Sequence, residues 1–529
     1  METNFCKYII THGGYVKPLE IPTEMSEGLG LCNPSVFIDK DGKILCNIRR
    51  VNYMFHQSLS YHWSSAYGPT NYHHPDRDVN LRTENYMCEL DENLEIKKDS
   101  IKHINYMPYE PKWHFTGEED VRIVRWDDKL FVTGCRRDTE ETGISRMELT
   151  ELDKDMNELS RTRVPAPEKD DTYCEKNWMA IIDKPYQYVK WCNPLQIVKY
   201  DPKTKTTKEV LLKDQKIESD DALGDIRGSS QVIPVGDYHV ALVHEVNLWT
   251  NRYNERAAIY YTRFIVWDKE WNTVKLSQRF WFMNVPIEFM NGLAFDGKDF
   301  IIPFSVYDNA AYIARLSKEA VFQFMGLDDS YVEETKVSSE NLIYKYILDI
   351  FNPYNAYELG IDYFNKKQYA CAHAFFMKAA EQSSSDCVKY KRIGYDAYYM
   401  CQKCLEMIGG RIDKLVHQYN LLIQWDPYRY EAYYELSRTY YGANENLNDH
   451  LTALGFAASA ISKLHDARPV HLMNIDRKYM LDRVWFQYGI CCYRSYKDYE
   501  AVPILNDLLS NGHDIVKEQI KSLGLNLEQ

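Results

Sequence analysis

Between about residues 32 and 316 the chain repeats one pattern: a short alternating apolar run, a polar turn and a second run. That repetition limits the fold more than any other feature. Ser35-Val36-Phe37-Ile38 leads into the turn Asp39-Lys40-Asp41-Gly42-Lys43 and then into Ile44-Leu45-Cys46-Asn47-Ile48. Asp-Gly between two such runs is a strong hairpin signal, because so tight a turn needs residues that tolerate positive φ. The pattern recurs at residues 121–126 with 130–133, at 231–234 with 238–243, and at 293–295 with 300–304. Hairpins at regular intervals over so long a stretch fit a β-propeller, whose blades are small antiparallel sheets around a central channel. A sandwich of two sheets is the competing architecture.

After about Glu333 the turn-rich pattern gives way to the period of amphipathic helices. A chain of 529 residues exceeds what one hydrophobic core usually supports, so two domains are expected, 1–330 and 331–529, with the boundary between 325 and 345. In the helical half, Asp426-Pro427 precedes an aromatic and leucine-bearing stretch at 430–441. A polar break follows at 442–446, then a helix with the small residues Ala453, Ala457, Ala458 and Ala460. That order resembles a degenerate tetratricopeptide unit, in which paired helices approach closely where side chains are small. Similar fragments at 356–380 and 485–490 predict a helical, tetratricopeptide-like array that binds a protein partner or another copy of the chain.

Composition narrows the function classes. A formal charge of −14 and a pI near 5.6 disfavour a broad electrostatic grip on nucleic acid. The N-terminus lacks a basic segment followed by an apolar run, and no stretch is long and apolar enough to span a membrane. Thirteen cysteines scattered through a large chain read as reduced thiols, which places the protein in the cytoplasm. The excess is in aromatics: 42 Tyr and 11 Trp, rings that suit half-buried strand positions and the flat faces of sugars alike.

The segment Glu118-Glu119-Asp120-Val121-Arg122 enters a strand with adjacent carboxylates and an arginine, groups that set one another's pKa. Alone it reads as a solvated turn. It stands in series, however, with Asn33-Pro34-Ser35 and Arg49, with Glu175-Lys176-Asn177-Trp178, with Arg227-Gly228-Ser229-Ser230-Gln231, with His244-Glu245 at a strand end, and with Tyr307-Asp308 after another strand. Polar clusters at strand ends are where a propeller builds an axial site.

This ordered set, over residues 28–320, resembles the mannoside phosphorylases of glycoside hydrolase family 130 and the related protozoan mannosyltransferase-phosphorylases. The resemblance implies a five-bladed β-propeller and an inverting reaction on a mannoside. Asp120 would be the general acid, and Asn33, Arg49, Glu119, Arg122, Arg227, Tyr307 and Asp308 would bind substrate. Inorganic phosphate or a sugar phosphate would be co-substrate, held by Lys176 and His244 with Arg227, and no metal or other cofactor is implied. Phosphate is already a competent nucleophile, so no second carboxylate is needed to activate water. Two departures stand out: Val121 replaces the family's proline, and the Arg227–Gln231 stretch, residues 227–231, replaces a more Gly- and Pro-rich one. The helical half is also atypical of the phosphorylases and is closer to modules attached to glycosyltransferases. Phosphorylase, glycosidase and transferase therefore stay open, as does a glycan-binding propeller without chemistry.

Other signals carry less. Cys401-x-x-Cys404 lies within a helical pattern with no second pair at zinc-site distance, which predicts buried helix cysteines. His56, His62, His73 and His74 fall in a Tyr- and Asn-rich segment at 54–78 that is either a loop over the pocket or a surface insertion. Residues 203–208 read as a solvated hairpin turn. There is no P-loop, dinucleotide fingerprint or HExxH.

Overall fold

The computed structural model of the chain describes residues 3–56, 71–73, 80–167, 174–215, 226–250, 256–383, 391–410, 412–443, 447–464 and 476–527. It is a mixed β and α protein, with sheets filling the first three-fifths and helices the remainder. Among the described residues, five sheets of four or more strands follow one another along the chain, besides a two-stranded ribbon of Met54–His56 and Asn71–His73. The first joins Gly30–Ile38, Ile44–Val51, Leu81–Leu90, Lys102–His103 and Phe115–Thr116. The second joins Glu119–Trp126, Lys129–Arg136, Arg146–Leu152 and Glu158–Arg163, and the third Met179–Ala180, Gln187–Cys192, Leu195–Asp201 and Thr206–Lys213. The fourth is built on the long hairpin Tyr238–Thr250 and Arg256–Trp267. The fifth is built on Asp299–Val306 and Ala310–Ser317, completed by the N-terminal strand Tyr15–Pro18.

The expected hairpin turns close these strands. Asp127 and Asp128, at φ 50° and 64°, join Trp126 to its partner Lys129, the conformation a two-residue turn between twisted strands requires. The turn expected at 203–208 is shorter and lies at 202–205, where it is exposed; Thr206, Thr207 and Lys208 already belong to the strand Thr206–Lys213, whose pairing buries Thr207.

Apolar faces of successive sheets share cores. Phe37, Leu45 and Met87 of the first pack with Val121, Ile123, Val132 and Leu152 of the second. Val124, Phe131 and Leu149 of the second meet Tyr188 and Val198 of the third. Val189 and Ile197 of the third meet Ala241, Val243 and Ile265 of the fourth. Ala294, Ile301 and Ile313 of the fifth pack against Leu31, Val36 and Ile48 of the first. Phe264 and Phe280 of the fourth sheet reach Phe304 of the fifth through Phe282, whose ring stacks on Phe304 at 4.1 Å. The packing order thus returns to where it began.

The chain forms two compact units, Met1–Phe375 and Phe376–Gln529. Apart from two short N-terminal helices, Phe5–Thr11 and Thr23–Ser26, the helices start at Lys318, earlier than the expected change of period, and the units divide later than residue 330. The reason is packing. The apolar run at 342–351 folds back onto the sheets, with Tyr346 wholly buried and its hydroxyl donating to the Met283 carbonyl at 2.7 Å. The Tyr363 hydroxyl lies 2.9 Å from that of Tyr312 in the fifth sheet, and the Phe375 ring meets Tyr346 and Tyr363.

In the second unit, helices Lys391–Met407, Ile412–Trp425, Glu431–Ala443, Leu447–Lys463, Arg477–Arg494, Asp498–Asn511 and Asp514–Ser522 each pack on the next. Ala453, Ala457 and Ala460 are buried at these contacts, whereas Ala458 faces solvent. Cys401 and Cys404 are buried inside their helix and form no disulfide. The C-terminal helix caps the unit with Val516 and Ile520 against Ile490, Leu505 and Leu508. Among the described residues, no helix is long and apolar enough to cross a membrane.

Candidate functional site

The first strands of two sheets break their ladders at comparable points. Gly30–Ile38 is irregular between Cys32 and Ser35, and Glu119–Trp126 between Glu119 and Arg122. At each break a non-glycine residue takes a left-handed conformation, Asn33 at φ 43° and Asp120 at φ 54°. Asn and Asp tolerate that region better than other residues, and a bulge re-aims the side chain it carries. The outcome is convergence: Asn33 Nδ2 donates to Asp120 Oδ1 at 2.7 Å. Arg49 Nη1 donates to the same oxygen at 2.7 Å, while its Nε reaches Thr83 Oγ1 at 3.0 Å and its Nη2 reaches the Tyr53 hydroxyl at 3.2 Å. Glu119 lies 4.0 Å from that guanidinium. Asn33 is itself held, its side-chain oxygen accepting from Ser305 Oγ at 2.6 Å. Asn291 Nδ2 ties the Asn33 and Val121 carbonyls together at 3.3 and 2.7 Å.

The cationic side is built from Arg122 of the second sheet, the segment leading into the third sheet, and the fourth sheet. Arg122 donates from Nε to the Ser229 carbonyl at 2.5 Å, from Nη1 to its own strand at Asp120 O, and from Nη2 to Asn177 Oδ1 at 3.4 Å. Asn177, at φ 62°, follows Lys176, whose side chain is exposed. Gly228 lets this segment approach: a Cβ there would lie 2.2 Å from the Asn177 carbonyl. Arg227 stands directly opposite His244 across the ladder. His244 is buried, its Nδ1 2.7 Å from Ser229 Oγ, its ring stacked on Tyr260 and edge-on to Phe289. Tyr307 and Asp308, at φ 54° and 52°, form the turn after Asp299–Val306. Strained backbone of this kind collects where a side chain must be aimed.

Charge and burial set the protonation states. Burial pushes Asp120 up, but Arg49, Lys176, Arg122 and the Asn33 hydrogen bond outweigh it and hold the carboxyl below the usual aspartate range. Asp308 goes the other way, raised to about 6 by burial against the pull of Arg49, with Asp120 and Glu119 adding repulsion. Burial, with Arg227, Lys176 and Arg122 nearby, lowers His244 to about 3, so it is a neutral ring near pH 7. For Lys176, burial lowers the pKa but is outweighed by Cys174, Cys135, Asp120 and Glu119, and the ammonium persists. Lys176 is exposed, and the charges of the cluster bear on it from the protein side. The cluster also brings ligand atoms of Glu119, Asp120 and Cys135 within 4.8 Å of one another, with the Arg49 guanidinium supplying positive charge there.

Of the residues singled out in the sequence, Asn33, Arg49, Glu119, Asp120, Arg122, Lys176, Arg227, His244 and Asp308 are joined by contacts or by mutual electrostatic influence. Tyr307 is wholly buried and its N–H donates to the Ile287 carbonyl. His244 and Glu245 lie mid-strand rather than at a strand end, because Tyr238–Thr250 runs on in register with Arg256–Trp267. Glu118 does not join the cluster. Its Oε2 accepts from Thr150 Oγ1 at 2.9 Å inside the second sheet. Sequence reading missed Tyr53, Thr83, Ser305 and Asn291, isolated polar residues in or beside strands with no motif around them. Of the histidines at 54–78, His62 and His74 lie outside the described residues, while His56 and His73 sit in a two-stranded ribbon.

No family profile matches the chain, and no curated protein matches it. Among solved structures it is similar to a β-1,2-mannobiose phosphorylase from Listeria innocua, at 13% identity over 60% of this chain and 95% of that one, TM-score 0.38. It is also similar to MPT-4, a mannose phosphorylase from Leishmania mexicana, at 12% identity over 61% and 94%, TM-score 0.34. A third similarity, to MamA, has 17% identity over 36% and 85%, TM-score 0.23. TM-scores of this size do not by themselves establish a shared fold.

Proposed function

We propose that residues 1–330 form a five-bladed β-propeller whose centre is a carbohydrate-active site that transfers a glycosyl group, a mannosyl group in the first instance, to or from phosphate with inversion. We take residues 331–529 to be a tetratricopeptide-like scaffold that binds a protein partner or a second copy. The ring order of shared cores favours the propeller. The observation that carries the function is the set of cations around one carboxyl: Lys176, Arg122 and Arg227, with the neutral His244, gathered near Asp120. Positive charge in excess of its carboxylate partners suits a phosphate dianion.

In this reading Ser229 donates to His244 Nδ1, which leaves the proton on Nε2 to meet a phosphate oxygen. Phosphate attacks the anomeric carbon, the glycosidic bond breaks, and Asp120 gives its proton to the leaving oxygen. Arg49, Lys176 and Arg122 hold Asp120 ionised, so it must first gain that proton. A phosphate placed among Lys176, Arg122 and Arg227 offsets the charges that depress Asp120, and the proton phosphate loses on becoming a sugar phosphate balances the one Asp120 delivers.

The same ionised state favours a second reading, a glycan-binding propeller in which Asp120 only accepts sugar hydroxyls. Turnover separates the two. With β-mannosides and phosphate, the enzyme reading predicts mannose 1-phosphate, and Asp120→Asn should slow its release about 100- to 10,000-fold. Wild-type rates in Asp120→Asn would remove Asp120 from the chemistry, and glycan binding with no turnover of any mannoside would establish the binder.

A further inference from the structure

Behind Lys176 lies a buried ion pair that the reaction above does not use. Glu175 and Lys190 are 2% and 4% exposed, and Lys190 Nζ is 3.5 Å from Glu175 Oε1. The other carboxylate oxygen of Glu175 accepts from Trp178 Nε1 at 3.0 Å, and its backbone N–H donates to the Ser145 carbonyl at 3.0 Å. Lys190 stands over the rings of Trp178 and Trp191, with Arg146 close enough to depress its pKa after burial has done so. Two residues on, Asn177 is clamped between Arg122 and Gly228.

Lys176 therefore sits between two fixed points in a segment with almost no ladder of its own, since the nearest strand, Met179–Ala180, is two residues long. Alternate residues of an extended segment point to opposite sides. Glu175 turns inward to Lys190 and Lys176 outward to the charged cluster. A buried pair of this kind contributes little net stability, because desolvation offsets the attraction, and registry is its best-attested use.

We propose that Glu175 and Lys190 are positioning residues that fix the segment at 174–178 so that the Lys176 ammonium meets an anion beside Asp120. This rests on the phosphate-site reading given above. Neither residue touches the anion. Both act through Lys176, and support of that sort behind a ligand-binding side chain is worth about 10- to 100-fold in affinity.

The test is calorimetric titration of the full-length protein with inorganic phosphate, with thermal melting recorded on each variant. Glu175→Gln keeps the acceptor for Trp178 and removes the charge pair. It should weaken phosphate binding about 10-fold or more, and the double variant Glu175→Gln/Lys190→Met should be no weaker, since the pair acts as a unit. Lys190→Arg should restore most of the affinity that Lys190→Met loses. A purely structural role would lower the melting temperature and leave the phosphate affinity of the folded protein unchanged, which would overturn the proposal. Should Glu175→Gln prove unstable, the double variant, which buries no unpaired charge, carries the same comparison. If wild-type protein binds no phosphate, or Lys176→Gln binds as tightly as wild type, the phosphate-site reading itself fails. If Lys176→Gln weakens binding and Glu175→Gln does not, only the positioning role fails.

Discussion

Glu118 and Asp120 are two residues apart at the entry to one strand, both are buried, and their protonation runs in opposite directions. Glu118 faces the interior of the second sheet. Burial raises it, Glu148 repels it, and Arg136 and the Thr150 hydroxyl only partly compensate, leaving its pKa at about 8. Its Oε1 has no hydrogen-bond partner among the described residues. Asp120 turns the other way across the bulge and meets a guanidinium and an amide at 2.7 Å each. Burial alone therefore accounts for Glu118 but predicts the wrong direction for Asp120. A buried carboxyl stays charged where the backbone is bent to bring cations and donors within hydrogen-bond distance, and takes up a proton where it is not.

The comparison breaks most visibly at Arg49. Arg49→Met would leave the Asp120 carboxylate buried with one neutral donor, at a cost of about 3–5 kcal/mol by urea unfolding at pH 7. Adding Asp120→Asn should recover most of that loss. If the double variant is no more stable than Arg49→Met, the pair is not what holds this corner together.

Glu118→Gln should act in the opposite sense. In the folded protein Glu118 keeps its proton up to about pH 8, while the unfolded chain releases it near 4.5. Between those values the folded state binds more protons, so stability falls as pH rises through the window. Gln mimics the protonated form without that penalty. The variant should exceed wild type by up to about 3 kcal/mol at pH 7, at 1.36 kcal/mol per unit, and match it near pH 4. A pH-independent difference between the two would mean that Glu118 is not the titrating group.

The smallest effect belongs to an ion pair of the same chemistry on the surface. Lys40 and Asp128 pair with side chains 71% and 83% exposed. Water and salt screen them, so Lys40→Gln should leave the melting temperature unchanged within error. A clear drop would show that pairing, not burial, governs the contrast.

Much of this was legible in the sequence. The Asp-Gly and Asp-Asp turns mark the hairpins because local backbone chemistry decides them, and the order of polar clusters identifies most members of the candidate site. What the sequence hides is direction. Glu118, Glu119 and Asp120 read as one acidic group whose members tune one another. The left-handed turn at Asp120 separates them, and no local signal announces it. His244 and Glu245 read as a strand end because the apolar run stops at Val243, yet Glu245 is buried against Arg263 and Arg279, long-range partners that no local pattern reveals. The division at Phe375 is hidden for the same reason, since tertiary packing of Tyr346 and Tyr363 sets it rather than any change of period.

The contrast between the two carboxyls is measured most directly by carboxyl-carbon NMR titration of the full-length protein, with Glu118→Gln and Asp120→Asn used to assign the signals. The Glu118 carboxyl should titrate near pH 8, and the Asp120 carboxyl below the ordinary aspartate value of about 4, with its midpoint moving upward when inorganic phosphate is added. A Glu118 midpoint near 4.5, or an Asp120 midpoint at or above 4 that ignores phosphate, would contradict both the electrostatic contrast and the coupling of acid to anion on which the proposed reaction depends.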